Sequence, residues 1–439
     1  MQLSVLKMMM RDKGCRTIYI KRLAANDNRK QQVYFGGNFT AINLIPFKAI
    51  TTDPTKPHIF KAPLDFYWLT DNSEICLAPN AQLILYPQYP EVRFSGFLQG
   101  CDKAPSQLMD ERLRLAGRIL FMGVCPDGKV IGYLCHPDSD LAHEVVAIQE
   151  GLVSTGVFKE ICVAELITNR EDQLLDQLKR IQSLGWIRSK RLNANGDFVA
   201  CEAPQCGGYT LEAELGIIPN GKAEPDYLGY EVKQYTVANL NRITSGTLTL
   251  MTPQPTGGYY KTSGVEDFVR KFGYPDMTGK ADREDRLNFG GPFRINSFHE
   301  RTGLTLVLNG FDTVSCKITD TGGGITLMSK SGVDAATWHF SEIMLHWNKK
   351  HAQAVYIPSN CEKDPELSYR YGHLIRIGYG TDFNLCLKAL ALNKVYYDPG
   401  IKLENASTKP KVKHRSQFRI KSADIELLYH KMKTVDLTG

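Results

Sequence analysis

No stretch of the 439-residue chain approaches the roughly twenty consecutive apolar residues that cross a bilayer, so no membrane partner is expected. Residues 1–11 lack the long apolar core and small-residue cleavage site of a secretory signal, and a cytoplasmic location is expected. The eleven cysteines are odd in number and scattered from Cys15 to Cys386, which suits a reducing compartment and argues against a disulfide framework. Most should be small buried hydrophobes. Cys201 and Cys206 are spaced like half of a zinc site, but no second pair of Cys or His at ligand spacing accompanies them, and a plain loop is the expected reading. Gly322-Gly323-Gly324 lacks the Lys-Ser/Thr ending of a phosphate-binding loop, so it reads as a turn and no nucleotide site is expected.

What is present describes a globular chain. A hydrophobic content of 43% supports sizeable cores, and the length suits two or three domains. Residues 1–165 read as a strand-dominated α+β domain. Short β-like runs cover 58–68, 82–98, 118–124 and 129–136, the last two forming a hairpin around Pro126-Asp127-Gly128, before a helix over 141–152. From residue 166 onward the pattern is α/β. Leu174, Leu175, Leu178, Ile181 and Leu184 recur at helical spacing and Gly185 can end that helix. A strand over 247–251 follows, then a helix with Val265, Phe268, Val269 and Phe272 on one face. Strands over 304–308 and 325–328, a helix over 335–347 and a strand over 354–357 complete a mixed sheet flanked by helices.

The chemistry is concentrated in Pro225-Asp226 and Glu231-Val232-Lys233. Residues 230–237 are rich in aromatic and β-branched side chains and read as a strand, whose period of two sends Glu231 and Lys233 to one face. Asp226 then sits across the short turn Tyr227-Leu228-Gly229. A phosphodiester is anionic and repels hydroxide, so its hydrolysis favours a hard divalent cation held by carboxylates. Asp226 and Glu231 are the natural ligands, Lys233 is placed to orient water or stabilise developing charge, and Glu212 adds a third carboxylate if its helix packs beside the strand. The bare spacing arises by chance in roughly one chain in ten of this length, and an exposed strand of alternating charge explains it equally well.

A resemblance adds to the spacing. Gly185-Trp186-Ile187, Gly207-Gly208-Tyr209-Thr210-Leu211-Glu212, Leu215-Gly216-Ile217 and Asp226-Tyr227-Leu228-Gly229-Tyr230-Glu231-Val232-Lys233 stand in the order and spacing of the MvaI/BcnI family of restriction endonucleases, within the MutH-like PD-(D/E)xK nucleases. The likeness runs from about residue 173 to the C-terminus and includes residues 338–358 and 413–420. It implies a restriction-endonuclease-like domain over 166–439, with Asp226, Glu231, Lys233 and Glu212 as the active site and Mg2+ as the ion. It also implies double-stranded DNA as partner, a protein able to act as a monomer, and a 5′-phosphate and 3′-hydroxyl as products.

The charge of +6 is unevenly spread. Residues 401–439 hold nine Lys or Arg against four Asp or Glu, and Lys409, Lys411, Lys413, Arg415, Arg419 and Lys421 crowd one stretch, which suits a DNA backbone or a lysine-guarded strand edge. Arg294, in the Gly-rich segment Gly290-Gly291-Pro292-Phe293-Arg294, is a candidate for reading guanine. His339 and His346 lie two helical turns apart and either face DNA or, as Trp338, Phe340, Leu345 and Trp347 suggest, sit satisfied at a core edge. Arg93, Arg112, Arg114 and Arg118 in the first domain are compatible with phosphate contact or a plain surface role. The expected function is Mg2+-dependent endonucleolytic cleavage of duplex DNA in restriction or phage defence. The alternatives are a repair or modification-dependent nickase directed by residues 1–165, and a non-catalytic DNA-binding protein on a nuclease scaffold.

Overall fold

A computed structural model describes residues 1–25, 31–53, 55–113, 115–163, 170–219 and 225–438; Arg114 lies outside them. The chain divides into two compact units, Met1–Asn169 and Arg170–Gly439, and the boundary drawn after residue 165 also falls outside the described residues. Among the described residues no helix is long and apolar enough to cross a membrane.

In the first unit the β-like runs are cut by proline. The run over 58–68 becomes Lys56–Pro63 and Asp65–Leu69, which join different sheets, and Pro87 and Pro90 separate Gln82–Tyr86 from Glu91–Ser95. The strands Ile119–Val124 and Lys129–Cys135 pair antiparallel. Their turn is closed by Gly128 N donating to Cys125 O at 3.0 Å. Helix Asp140–Ile148 starts where Ser139 Oγ accepts from Ala142 N at 3.2 Å. Its Leu141 and Val145 pack with Leu6 and Met10 of helix Leu3–Asp12 and with Ile18, Phe121 and Ile131 of the sheet.

Arg93, Arg112 and Arg118 of this unit are engaged by the protein itself. Arg118 is 1% exposed and donates to Leu108 O at 2.6 Å and Ala24 O at 2.9 Å, so it is a core residue rather than a phosphate contact. Arg93 pairs with Glu91 at 2.7 Å, and Arg112 pairs with Asp110 at 2.5 Å.

The second unit is built on a six-stranded sheet. Its order is Trp186–Arg188, Ser368–Tyr371, Gln353–Glu362, Leu374–Tyr379 and Lys431–Asp436, with Glu231–Thr236 added parallel to Gln353–Glu362. Alternation along these strands divides two chemistries. Val232, Val355, Ile357, Ile375 and Ile377 form one core with Leu174, Leu178 and Ile181 of helix Arg170–Ser183 and Leu211 of helix Cys206–Glu214. Leu184, counted in the helical stripe, lies past the helix end and is 48% exposed. The alternate residues Glu231, Tyr356 and Arg376 meet helix Phe340–His351 and residues 422–429: Tyr356 and Tyr429 share a hydroxyl hydrogen bond of 2.9 Å, and Arg376 donates to Ser422 O.

The helix expected over 335–347 is two elements. Asp334–His339 is a strand paired with Gly324–Ser329, and the helix runs over Phe340–His351. Ala335, Ala336, Thr337 and Trp338 are buried in succession, so pairing and burial override the alanines' helical preference. The basic C-terminal stretch is also structured: Lys411–Lys413 is an edge strand beside Gly400–Glu404, and Phe418–Lys421 lies between Thr247–Met251 and Val395–Tyr397.

Gly378 shows how tightly the sheet is covered. A Cβ there would come within 2.6 Å of the Tyr429 ring. Gly378→Ala is expected to cost about 1–3 kcal/mol by overpacking, read as a lower urea midpoint at unchanged slope. A wild-type midpoint would show that the ring yields freely.

Candidate active site

The central hairpin places the first carboxylate. Tyr227 and Tyr230 exchange backbone hydrogen bonds of 2.8 and 3.0 Å around Leu228 and Gly229, whose φ values are +50° and +88°. This is the backbone sign pattern of a tight two-residue turn matched to strand twist, and the left-handed Leu228 costs about 1–2 kcal/mol. The turn folds Asp226 back over the strand, where its Oδ2 accepts from Val232 N at 3.0 Å.

Glu231 and Lys233 share a face, as the period of two requires. Lys233 Nζ donates to Glu231 Oε1 at 2.6 Å. The Glu231 side chain is 1% exposed, and its Oε2 is buried without a hydrogen-bond partner. Burial pushes the Glu231 carboxyl up, with the Lys233 ammonium opposing. Helix Cys206–Glu214 brings Glu212 into the same field: burial raises its carboxyl to about 7, the charges of Asp226 and Glu231 push the same way, and Lys233 and Lys350 pull back. Asp226, Glu231, Glu212 and Lys233 therefore act on one another electrostatically.

Their arrangement does not make the expected three-carboxylate ligand set. Among the described residues no three His, Cys, Asp or Glu side chains gather closely enough to hold a metal ion. The donor chemistry fits magnesium nonetheless, because that ion keeps several waters and takes one or two carboxylates plus substrate phosphate. The partnerless Glu231 Oε2 is a hard oxygen donor of the required kind.

Sequence reasoning missed Lys350. It lies in the last turn of helix Phe340–His351, and its Nζ is 3.8 Å from Glu231 Oε1. Only the pairing of Glu231 with Ala354 brings it there, and no local spacing signals that. Sequence reasoning also missed the bond between Cys201 and Cys206, which removes the zinc half-site and ties the start of the Glu212 helix to the preceding segment. The nine other cysteines are free, with Cys15, Cys101, Cys125, Cys135 and Cys386 buried.

The outer candidates are engaged in various ways. Arg294 donates to Asn393 O at 2.7 Å and lies 4.6 Å over the Tyr396 ring. His339 ends a strand and precedes the helix, so it does not share a helix face with His346; both are exposed while Trp338 and Trp347 are buried. His346 lines a cavity of about 300 Å³ with Gln254, Thr256 and Glu342. Lys413 pairs with Glu404 at 2.9 Å and Arg419 with Asp398 at 2.7 Å, while Arg415 is exposed.

A mixed sheet with this acidic and basic cluster on a strand that follows a tight turn is the architecture of a restriction-endonuclease-like nuclease acting on DNA. The MvaI/BcnI restriction endonuclease family matches residues 175–429, more than half of the chain, and the chain belongs to that family. Among solved structures, a complex of restriction endonuclease MvaI with its cognate DNA substrate is 15% identical, covering 61% of this chain and 99% of that one at a TM-score of 0.46. MvaI in the absence of DNA is 14% identical, covering 62% and 100% at a TM-score of 0.34. No curated protein matches the chain.

Proposed function

We propose that the chain is a Mg2+-dependent endonuclease that hydrolyses phosphodiester bonds of duplex DNA in sequence-specific restriction or phage defence. The observation that carries the reading is the buried Glu231 carboxylate, held by Lys233 on one oxygen and partnerless on the other, beside Asp226 and Glu212 in a chain of this nuclease family. Asp226 and Glu231 would hold the ion, which when bound neutralises the phosphate and acidifies water. The chain's own groups do the positioning. The turn at Leu228 and Gly229 fixes Asp226, and the strand fixes Glu231 and Lys233 without flexible loops between them. Lys233 orients the attacking water and faces the charge that grows on the phosphate oxygens as the leaving 3′ oxygen departs.

The separate first unit supports a second reading, in which it restricts cleavage to modified or mismatched DNA. One experiment separates the two. Purified protein is incubated with methylated and unmethylated genomic libraries in magnesium or in chelator, and the resulting ends are sequenced. Recurrent sequence at 5′-phosphate ends from unmethylated DNA is expected for restriction, and cutting confined to modified DNA would support the second reading. Cutting that persists in chelator, or none on either library or on a mismatch-bearing duplex, would overturn both.

A further inference from the structure

We propose that the hairpin formed by Lys190–Leu192 and Phe198–Ala200 is a DNA-gripping arm, a rigid two-stranded ribbon that lies in a groove of the duplex with Phe198 against sugars and base edges and Arg191 against phosphate. The proposal rests on the reading of duplex DNA as the substrate.

The arm is fixed from tip to root, although it belongs to no larger sheet. A free-standing two-stranded hairpin is marginally stable in water. Here the tip is closed by Asn193, whose Oδ1 accepts from Asn195 N and Asp197 N, both at 2.9 Å. At the root, Thr210 Oγ1 accepts from Lys190 N at 3.1 Å and donates to Lys190 O at 3.2 Å, and Ser189 Oγ donates to Cys201 O at 2.6 Å. The Cys201–Cys206 disulfide then ties the outgoing strand to helix Cys206–Glu214. Such clamps lower the entropy an arm loses on meeting a partner in one orientation.

Position and chemistry select the partner. Thr210 stands two residues before Glu212, about 3 Å of helix rise, so the root of the arm lies within one helical turn of that carboxylate's position in the chain. The major groove of duplex DNA, about 12 Å wide, admits a two-stranded ribbon. Residues 188–200 carry Arg188, Lys190 and Arg191 against Asp197 alone, the sign of charge that phosphates attract. Strand alternation sends Arg191 to one face and Lys190 to the other, where the Lys190 ammonium lies 4.2 Å over the Phe198 ring and pairs with Glu214 at 2.6 Å. Lys190 thus orients the ring, which remains 61% exposed, and Arg191 is exposed on the opposite face. A ribbon in a groove meets both walls, and this one offers an apolar ring to one wall and a guanidinium to the other.

The test is the anisotropy of a fluorescein-labelled duplex of mixed sequence, titrated with the full chain in calcium over a range of salt concentrations. Phe198→Ala is expected to weaken binding roughly three- to tenfold at an unchanged salt dependence, because the contact it removes is uncharged. Arg191→Ala is expected to lower the slope of log affinity against log salt by about one, as the loss of one phosphate contact does. Both side chains are exposed, so both variants should melt with wild type. Wild-type affinity for Phe198→Ala, or a wild-type slope for Arg191→Ala, overturns the arm and leaves the endonuclease reading standing. So do variants that bind DNA normally but lose a self-association that wild type shows in sedimentation, which would make the hairpin a contact between copies of the chain. No duplex binding by wild type at low salt would instead overturn the reading on which the arm rests.

Discussion

Replacing Lys233 by alanine is expected to slow single-turnover DNA cleavage by about 10²- to 10³-fold, the usual effect of removing one preorganised group that meets developing transition-state charge. Asp226→Ala is expected to abolish detectable cleavage in the same assay, since it removes one of two ion-holding carboxylates. Binding of DNA in calcium should survive both changes, because affinity for duplex DNA comes mainly from many phosphate contacts rather than from one residue. The geometry makes Lys233 a sensitive position. Its ammonium holds Glu231 Oε1 at 2.6 Å, so truncation also strips a buried carboxylate of its closest counter-charge. Wild-type cleavage by either purified variant would remove the site assignment. Equal loss of binding and cleavage would move the residue's role from chemistry to DNA grip.

Trp347→Ala is expected to cost about 3–5 kcal/mol of stability, measured from urea unfolding. Trp347 is fully buried, its Nε1 donates to Thr381 Oγ1 at 3.0 Å, and its ring stacks 4.3 Å from that of His351. Burial and the nearby Lys233 ammonium drive His351 toward its neutral form, so the stacked pair is apolar in character where it supports the helix end bearing Lys350. Trp347→Phe should recover part of the loss, since most of the apolar area returns without the hydrogen bond. A midpoint equal to that of wild type for Trp347→Ala would mean that this helix end is not part of the cooperative unit.

The central residues were legible because their relations are local. A two-residue turn and the alternation of a strand fix Asp226, Glu231 and Lys233 within eight positions, and the leucine spacing of Arg170–Ser183 needs only the helical period. Other features depend on contacts that spacing does not contain. Ala335 and Ala336 became strand because pairing with Gly324–Ser329 and a buried Trp338 determined their conformation. Arg294 looked free in a Gly-rich segment, yet a carbonyl at Asn393 and the Tyr396 ring hold it. Lys350 reaches Glu231 through strand pairing between segments far apart in the chain. The basic C-terminal stretch was legible as charge and as a lysine-guarded strand edge, which Lys411–Lys413 is, but not as supplying Phe418–Lys421 to the centre of a second sheet.

The left-handed backbone at Leu228 carries one last consequence. A branched aliphatic residue does not choose that twist, so the loop cannot keep its form by local preference. Its shape is inherited from the sheet through the ladder that begins where Glu231 faces Ala354. Peeling that single ladder away would release the carboxylate on one side of the bend and the carboxylate and amine on the other in the same event, making the whole constellation present or absent as a unit.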